Sequence, residues 1–240
     1  MIQSIHDADI GHIHFKVHAQ SRRIIIRMLN DGIQVTLPDV RFYDHALQMI
    51  EANRGAIIEK RRAGVHHPSF PIDEAHPLKT FTFDVSVIAA DRTNLFFQLR
   101  NGLLKVEYPK QVSIHDHDLQ KKIQAGIVYF MRQDAKRVLP VRMQEWSSKT
   151  GLVYKSLKIQ SSTSRWGSCS STNSINLSLF LMLLPERLID YVIVHELCHT
   201  IEHNHSVSFW AQVASILPAY KELRQELKKH PLSMWANTAY

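Results

Sequence analysis

Cysteine is scarce in this chain, since only Cys169 and Cys198 occur among 240 residues. Two cysteines in unlike sequence settings do not build a disulfide scaffold, and such scarcity is typical of proteins of the reducing cytosol. The paired cysteines of a zinc finger are also missing. We therefore expect a cytoplasmic protein that is held together by its hydrophobic core.

Long apolar runs are missing as well. No stretch approaches the 18 or more residues of a membrane-spanning helix. The segment 1–15 contains Asp7, Asp9 and three histidines, which is unlike a secretory signal peptide. With 45% hydrophobic residues, the chain can still bury a core of one or two domains. We expect no association with a membrane.

Acidic residues are outnumbered, with 22 Asp and Glu against 29 Lys and Arg, for a net charge of +7. This excess permits attraction to a nucleotide, to nucleic acid or to an acidic partner, but does not establish it. The basic residues are scattered, and short clusters such as Lys228-Lys229 are typical of solvated helix ends.

The first 110 residues have the pattern of a β-rich region. Alternating or apolar segments predict strands at 10–17, 23–29, 33–37, 80–87, 95–100 and 103–108. Two hairpins are indicated, one across residues 30–32 and one across Asn101-Gly102. A helix is expected at 43–62, and the proline-containing stretch 63–79 predicts a loop.

From residue 111 the pattern becomes mainly helical. Apolar residues recur at helical spacing over 115–139, after which Pro140 is expected to open a second helix that Gly151 ends. Strands are predicted at 156–161 and 174–178, and later helices at 206–217 and 219–229. The fold class is therefore α+β, with a β-rich region 1–110 before a zincin-like domain 111–240, or with both in one compact unit.

The most informative segment is His195-Glu196-Leu197-Cys198-His199, in which two histidines are four residues apart. On a helix both imidazoles lie on one face and can reach a single metal ion. Pro185 and the apolar residues after it predict such a helix, with a buried face. Glu196 points about 100° away, so it is a candidate general base for metal-activated water.

A catalytic zinc site normally has a third protein ligand. His203 is eight residues from His195, about 12 Å along a straight helix, so the two could hardly share one ion. A carboxylate from a later helix is an alternative, for which Glu222 and Glu226 are the candidates. We rank both behind His205.

His205 is favoured as the third ligand if the helix that carries His195 and His199, here called the metal helix, ends before it. Asn204 is suited to be a left-handed terminating residue, and Ser206 to cap the next helix. The turn between these two residues would bring His205 back toward the metal. Phe209 and Trp210 are then expected to pack the next helix against the metal helix.

Several motifs follow one another in the second half of the chain. They are Arg165-Trp166-Gly167-Ser168-Cys169, Ile175-Asn176-Leu177, Pro185, Tyr191-Val192, the segment 195–199, Asn204-His205-Ser206 and Phe209-Trp210. Together they resemble the YgjP-like metallopeptidase domain, a zincin similar to the SprT and WLM groups. The resemblance is dense over 165–210 and weaker over 22–37. It implies a metallopeptidase with His195, His199 and His205 as zinc ligands and Glu196 as general base.

Residues near the motif suggest further roles. Arg165 is a candidate clamp for an oxyanion or a substrate carboxylate, because its fork of donors suits negative charge. The alternative is a structural arginine stacked on Trp166. Gly167 is expected at a backbone position that needs conformational freedom. Asp190 could bond the free nitrogen of a ligand histidine, or else lie exposed to solvent.

Three functions are compatible with these patterns. The first is a zinc-dependent hydrolase, most simply a metallopeptidase acting on a peptide or protein. The second is a metal-dependent phosphohydrolase acting on nucleotides, and the third is a nucleic-acid-associated protein with a structural zinc. Zinc is the expected metal, although manganese, nickel or cobalt suit the same nitrogen ligands.

Overall fold

The chain divides into two compact units, Met1–Ser69 and Phe70–Tyr240. The computed structural model describes residues 3–29, 31–65, 72–230 and 232. The strands between residues 84 and 109, which the sequence pattern assigned to the N-terminal region, belong to the second unit.

The first unit contains a four-stranded sheet. Its strands are β1 (Gln3–Asp7), β2 (Gly11–Val17), β3 (Ile25–Met28) and β4 (Gly32–Leu37), in the order β1-β2-β4-β3. The pair β2 and β4 is parallel, while β3 and β4 form the predicted antiparallel pair. Inward-facing residues alternate along β2 and β4, so Ile13, Phe15, Ile33 and Val35 are buried. β1 was not predicted.

Two helices follow this sheet, α1 (Tyr43–Ala52) and α2 (Arg54–Val65), where a single helix was predicted. The helix is interrupted at Asn53, whose side-chain amide donates to the carbonyl oxygen of Met49 at 2.8 Å. Such local bonding competes with the helical backbone bonds. Because α2 extends to Val65, the predicted loop 63–79 is wrong over residues 63–65. Residues 66–71 of that loop lie outside the described residues.

The second unit begins with a three-stranded sheet. It consists of β5 (Asp84–Ala90), β6 (Phe96–Arg100) and β7 (Leu103–Pro109), in the order β5-β7-β6. The hairpin across Asn101-Gly102 is confirmed, and both residues have positive φ, 51° and 74°. The strand predicted from Thr80 starts only at Asp84. Instead, the Thr80 hydroxyl donates to the carbonyl oxygen of Phe83 at 2.7 Å and so closes a turn.

One long helix, α3 (His117–Thr150), follows and contains Pro140. The prediction of two helices is wrong, although Gly151 does end the helix in a left-handed conformation with φ 71°. An internal proline costs about 3 kcal/mol. Packing offsets this cost, because residues at four-residue spacing are fully buried: Ile123, Ile127, Met131, Ala135, Leu139 and Met143. Despite the length of α3, no described helix is apolar enough over a sufficient stretch to cross a membrane.

A second three-stranded sheet and three helices complete this unit. The strands are β8 (Ser156–Gln160), β9 (Gly167–Cys169) and β10 (Ser174–Ser178), and the helices are α4 (Glu186–Cys198), α5 (Val207–Ile216) and α6 (Tyr220–Leu227). The sheet order is β8-β10-β9, with β9 antiparallel to β10. Except for β9, these elements match the predicted ones. The α+β class is confirmed.

Candidate metal centre

The segment His195–His199 lies at the end of α4, a helix that is buried on most of its surface. The helix ends at Cys198, so His199 is already its C-terminal cap. The hydroxyl and the backbone N–H of Thr200 both donate to the carbonyl oxygen of Leu197, at 2.7 and 2.9 Å, and so satisfy this carbonyl of the last turn. Asn204 has no left-handed conformation, so the predicted ending is wrong: the helix ends five residues earlier.

A short loop then brings His205 back to the helix. The cap predicted at Ser206 is confirmed, because its hydroxyl accepts from the backbone N–H of Phe209 at 3.2 Å and starts α5. The Nε2 atoms of His205 and His195 are 3.1 Å apart. One ligand atom from each of His195, His199 and His205 can be chosen so that all three lie within 4.8 Å of one another.

The other candidate ligands lie outside this group. His203 is exposed and does not belong to the cluster. Glu222 is exposed on α6, and Glu226 forms an ion pair with Arg187, with Oε1 and Nη2 2.5 Å apart. The structure therefore brings together the three histidines that the sequence favoured and none of the alternatives.

The donor chemistry of the cluster fits a divalent transition metal. Zinc lies about 2.0–2.1 Å from each ligand nitrogen, so two such nitrogens must approach to about 4 Å or less. Burial, with the nearby His199 and His205, lowers the pKa of His195 to about 3, and burial also lowers the pKa of His199. Both rings are therefore neutral at pH 7, as metal ligation requires. The three imidazoles can hold one ion after small side-chain rotations.

The orientation of His199 is set by its other ring nitrogen. Its Nδ1 lies 2.9 Å from the carbonyl oxygen of Glu202, which leaves Nε2 directed to the cluster. By contrast, the buried Nδ1 of His195 has no hydrogen-bond partner within the described part of the chain. Its ring is held by packing instead, since Phe209 lies edge-on at a centroid distance of 4.9 Å.

Aromatic rings from α5 support the cluster on one side, as the sequence led us to expect. The Phe209 ring stacks on His199 at a centroid distance of 4.3 Å. The Trp210 ring stacks on His205 at 5.5 Å. These contacts fix the angle between α4 and the loop that carries His205.

Glu196 lies beside the histidines and is only 6% exposed. Burial raises the pKa of its carboxyl to about 8, although the charge of Arg165 acts in the opposite direction. Gly167 on β9 makes room for this side chain. A Cβ atom at Gly167 would lie 2.6 Å from Oε1 of Glu196. The glycine is therefore required by close approach, not by the backbone freedom that we expected, since its φ is not positive.

A cavity of about 360 Å³ opens next to His195 and Glu196. It is lined by Arg165, Trp166, Gly167, Tyr191, Val192, His195, Glu196, Arg224, Leu227 and Lys228. Arg165 is exposed at this cavity, and no stacking of its guanidinium on Trp166 is found among the described residues. Its side chain is free to meet a bound molecule.

Three further residues near the site are Asp190, Cys198 and Cys169. Asp190 neither bonds a ligand histidine nor lies in solvent, because its carboxylate accepts from Nη2 of Arg142 at 2.6 Å. Cys198 is fully buried and packs in the core. Burial raises the pKa of Cys169 to about 11, so this thiol stays protonated.

Sequence reasoning missed the contribution of α6 to the cavity. Arg224 and Lys228 are four residues apart and line the cavity together. Their four-residue spacing could have predicted that they share one face of a helix. The sequence pattern could not predict that α6 packs beside α4, because this position depends on contacts such as the ion pair between Arg187 and Glu226.

Comparisons relate the chain to known proteins. The family model described as "YgjP-like, metallopeptidase domain" matches residues 22–230. Among solved structures, the metallopeptidase zymogen abylysin of Pyrococcus abyssi is 21% identical, with 38% of this chain and 93% of that chain covered and a TM-score of 0.36. The metallopeptidase zymogen jannalysin of Methanocaldococcus jannaschii is 18% identical, with 38% and 94% covered and a TM-score of 0.35. A search of curated proteins found no match.

Proposed function

The chain belongs to the YgjP-like metallopeptidase family, and on this premise we propose that it hydrolyses peptide bonds with one zinc ion as cofactor. We assign His195, His199 and His205 as the ligands. The observation that carries the proposal is the convergence of these three imidazoles beside a buried carboxylate that borders a cavity. A zinc ion held there would supply Lewis acidity, which activates water and polarises a carbonyl group.

Glu196 is the proposed general base. Its carboxylate borders the cavity next to His195, where it can accept a proton from the attacking water and pass it to the leaving amine. Burial raises the pKa of this carboxyl to about 8, which makes the ionised form a stronger base than an exposed glutamate. A general base works best when its pKa is close to the working pH.

Arg165 is the proposed clamp for negative charge. It is exposed at the same cavity as Glu196, and its charge lowers the pKa of Glu196. A guanidinium offers several N–H donors in a planar fork, which suits the oxygen of a polarised carbonyl or a substrate carboxylate. Arg165 would therefore orient the substrate while Glu196 moves the proton.

The test of this proposal compares wild-type protein with Glu196→Gln, both purified, freed of metal and reloaded with zinc. We expect wild type to cleave a mixed peptide library, with cleavage sites mapped by mass spectrometry. The variant should bind the same amount of zinc but lose turnover by about 10²-fold or more, because the proton acceptor is gone. Full activity of the variant would refute the assigned role of Glu196.

The same samples also separate peptide hydrolysis from phosphate hydrolysis. Activated water attacks phosphorus as well as carbon, so nucleoside triphosphates are offered under identical conditions. Zinc-dependent release of phosphate without any peptide cleavage would replace the peptidase proposal by the phosphohydrolase alternative.

A further inference from the structure

Three cationic side chains border the cavity beside Glu196. Arg165 lies on the chain just before β9, while Arg224 and Lys228 come from α6 and the residue that follows it. All three are exposed. Among the residues that the structure describes, Glu196 is the only carboxylate that lines the cavity. A substrate that enters this cavity therefore meets positive charge from two separate elements, the chain before β9 and α6.

None of these cations forms an ion pair at contact distance in the described part of the chain, although the charge of Arg165 acts on Glu196. None of them takes part in a salt bridge or a side-chain hydrogen bond there. The two acidic residues of α6 do not neutralise them, because Glu226 is paired with Arg187 and Glu222 does not line the cavity. The charge is thus available to a ligand.

Arg224 is also held in place before any ligand binds. Its guanidinium lies over the Trp210 ring, 4.6 Å from the centroid. Two further rings stack on Trp210, Tyr220 at 5.4 Å and His205 at 5.5 Å. Stacking occupies the face of a guanidinium and leaves the N–H groups at its edge free to donate. Less side-chain entropy is lost on binding as a result.

We propose that Arg224 and Lys228 are specificity-determining residues that select peptides with an acidic side chain close to the scissile bond. The inference rests on the proposed peptidase function and adds the class of substrate. The Arg224 fork can bind a carboxylate through two N–H groups, and Lys228, four residues later, adds a second charge at the same wall. Arg165, which comes from the chain just before β9, is then available for the carbonyl oxygen.

The proposal is tested with fluorescein-labelled peptides that carry a single glutamate at successive positions, each matched to a peptide with glutamine there. Binding is measured by fluorescence polarisation on zinc-loaded Glu196→Gln protein, and cleavage on zinc-loaded wild type. At one or two positions we expect the glutamate peptide to bind about fivefold more tightly than its glutamine partner. Arg224→Gln and Lys228→Gln should each reduce that ratio toward one.

Lys229→Gln is the matched control, since Lys229 is also exposed but does not line the cavity. It should leave the ratio unchanged. Equal binding of glutamate and glutamine peptides at every position, with wild-type cleavage intact, would overturn this inference and leave the peptidase function standing. A binding preference without any cleavage would support the inference and count against the peptidase function. Displacement of the glutamate peptide by ATP that depends on Arg224 would show that the cations serve phosphate, and would overturn the proposal.

Discussion

His205 is the residue through which the metal site can be tested most directly, because it comes from a loop while the other two histidines share a helix. We predict that His205→Ala lowers zinc affinity by more than about a hundredfold. Loss of a ligand should exceed the 10–100-fold cost that is typical of changes around ligands. Zinc content after dialysis against a competing chelator measures the effect.

The matched control is His203→Ala, two residues away. His203 is exposed and stands outside the histidine cluster, so this variant should keep wild-type zinc content. An equal loss of zinc in both variants would contradict the assignment of His205 as the third ligand.

Gly167 tests whether the position of the Glu196 carboxylate matters. A Cβ atom there would lie 2.6–2.8 Å from Oε1, Cγ and Cδ of Glu196, too close for any real contact. We predict that Gly167→Ala displaces the carboxylate and lowers peptide turnover by about tenfold to a hundredfold, since small misplacements of catalytic groups have effects of this size. Zinc content should not change.

Gly55→Ala is the control for a glycine substitution as such, because an added Cβ there would meet no atom within 4 Å beyond its chain neighbours and the backbone of its own helix. Turnover should stay at the wild-type value. Unchanged turnover in Gly167→Ala would show that the close approach of Gly167 and Glu196 has no part in catalysis.

At the scale of elements, the start of α5 determines where His205 lies. The Ser206 hydroxyl accepts from the backbone N–H of Phe209 at 3.2 Å. We predict that Ser206→Ala lowers the free energy of unfolding of the second unit by about 1 kcal/mol, the usual effect of losing an N-terminal cap. Because Ser206 follows His205 directly, zinc affinity should fall as well. Chemical denaturation and zinc titration measure the two effects.

Ser208→Ala controls for the loss of a hydroxyl in the same helix. Ser208 is exposed in the first turn of α5 and does not cap it. Zinc affinity should therefore match wild type. If Ser206→Ala destabilised the protein without weakening zinc binding, the cap would be structural only.

Local patterns predicted those elements whose signals lie within a few neighbouring residues. The hairpin at Asn101-Gly102, the Gly151 ending of α3 and the Ser206 cap all depend on local backbone chemistry, and all three are present. The prediction divided α3 at Pro140 because proline usually ends a helix. In the structure the packing of Leu139 and Met143 outweighs this local preference. The three-residue strand β9 is too short to show any alternation.

In the candidate site, too, local patterns predicted some residues and missed others. Spacing alone placed His195 and His199 on one helical face, and capping chemistry pointed to His205. Arg224 and Lys228 were missed because their approach to Glu196 depends on how α6 packs beside α4. No local sequence window contains that information.

At the scale of the whole molecule, the two units have separate buried cores within the described residues. The first unit has a small core around Ile13 and Val35, and the second has a much larger one around α3 and α4. No buried residue is shared between these clusters. We therefore treat unfolding as a process with separable transitions, for which a single free energy is not defined. Trp146, Trp166 and Trp210 belong to the second unit, so their fluorescence reports on that unit.

Asp7 provides a test of this separation through pH. The guanidinium of Arg54 and the backbone N–H of Ile10 lower the pKa of Asp7 from 3.8 to about 2. A lowered carboxyl pKa stabilises the folded state above pH 3.8, and this contribution is lost as the pH falls through 2. We predict that Asp7→Asn lowers the stability of the first unit by about 1 kcal/mol at pH 7, after allowance for solvent screening, and has almost no effect near pH 2.

The measurement is urea denaturation at both pH values, followed by circular dichroism and by tryptophan fluorescence. Asp9→Asn is the control, because Asp9 also contacts Arg54 but its side chain is 58% exposed, against 22% for Asp7. Asp9→Asn should therefore lower the stability of the first unit at pH 7 by less than Asp7→Asn does. At pH 7, Asp7→Asn should move a transition seen by circular dichroism and leave the fluorescence midpoint in place, because the altered ion pair and the tryptophans belong to different units. An equal shift of both signals would mean that the two units unfold together.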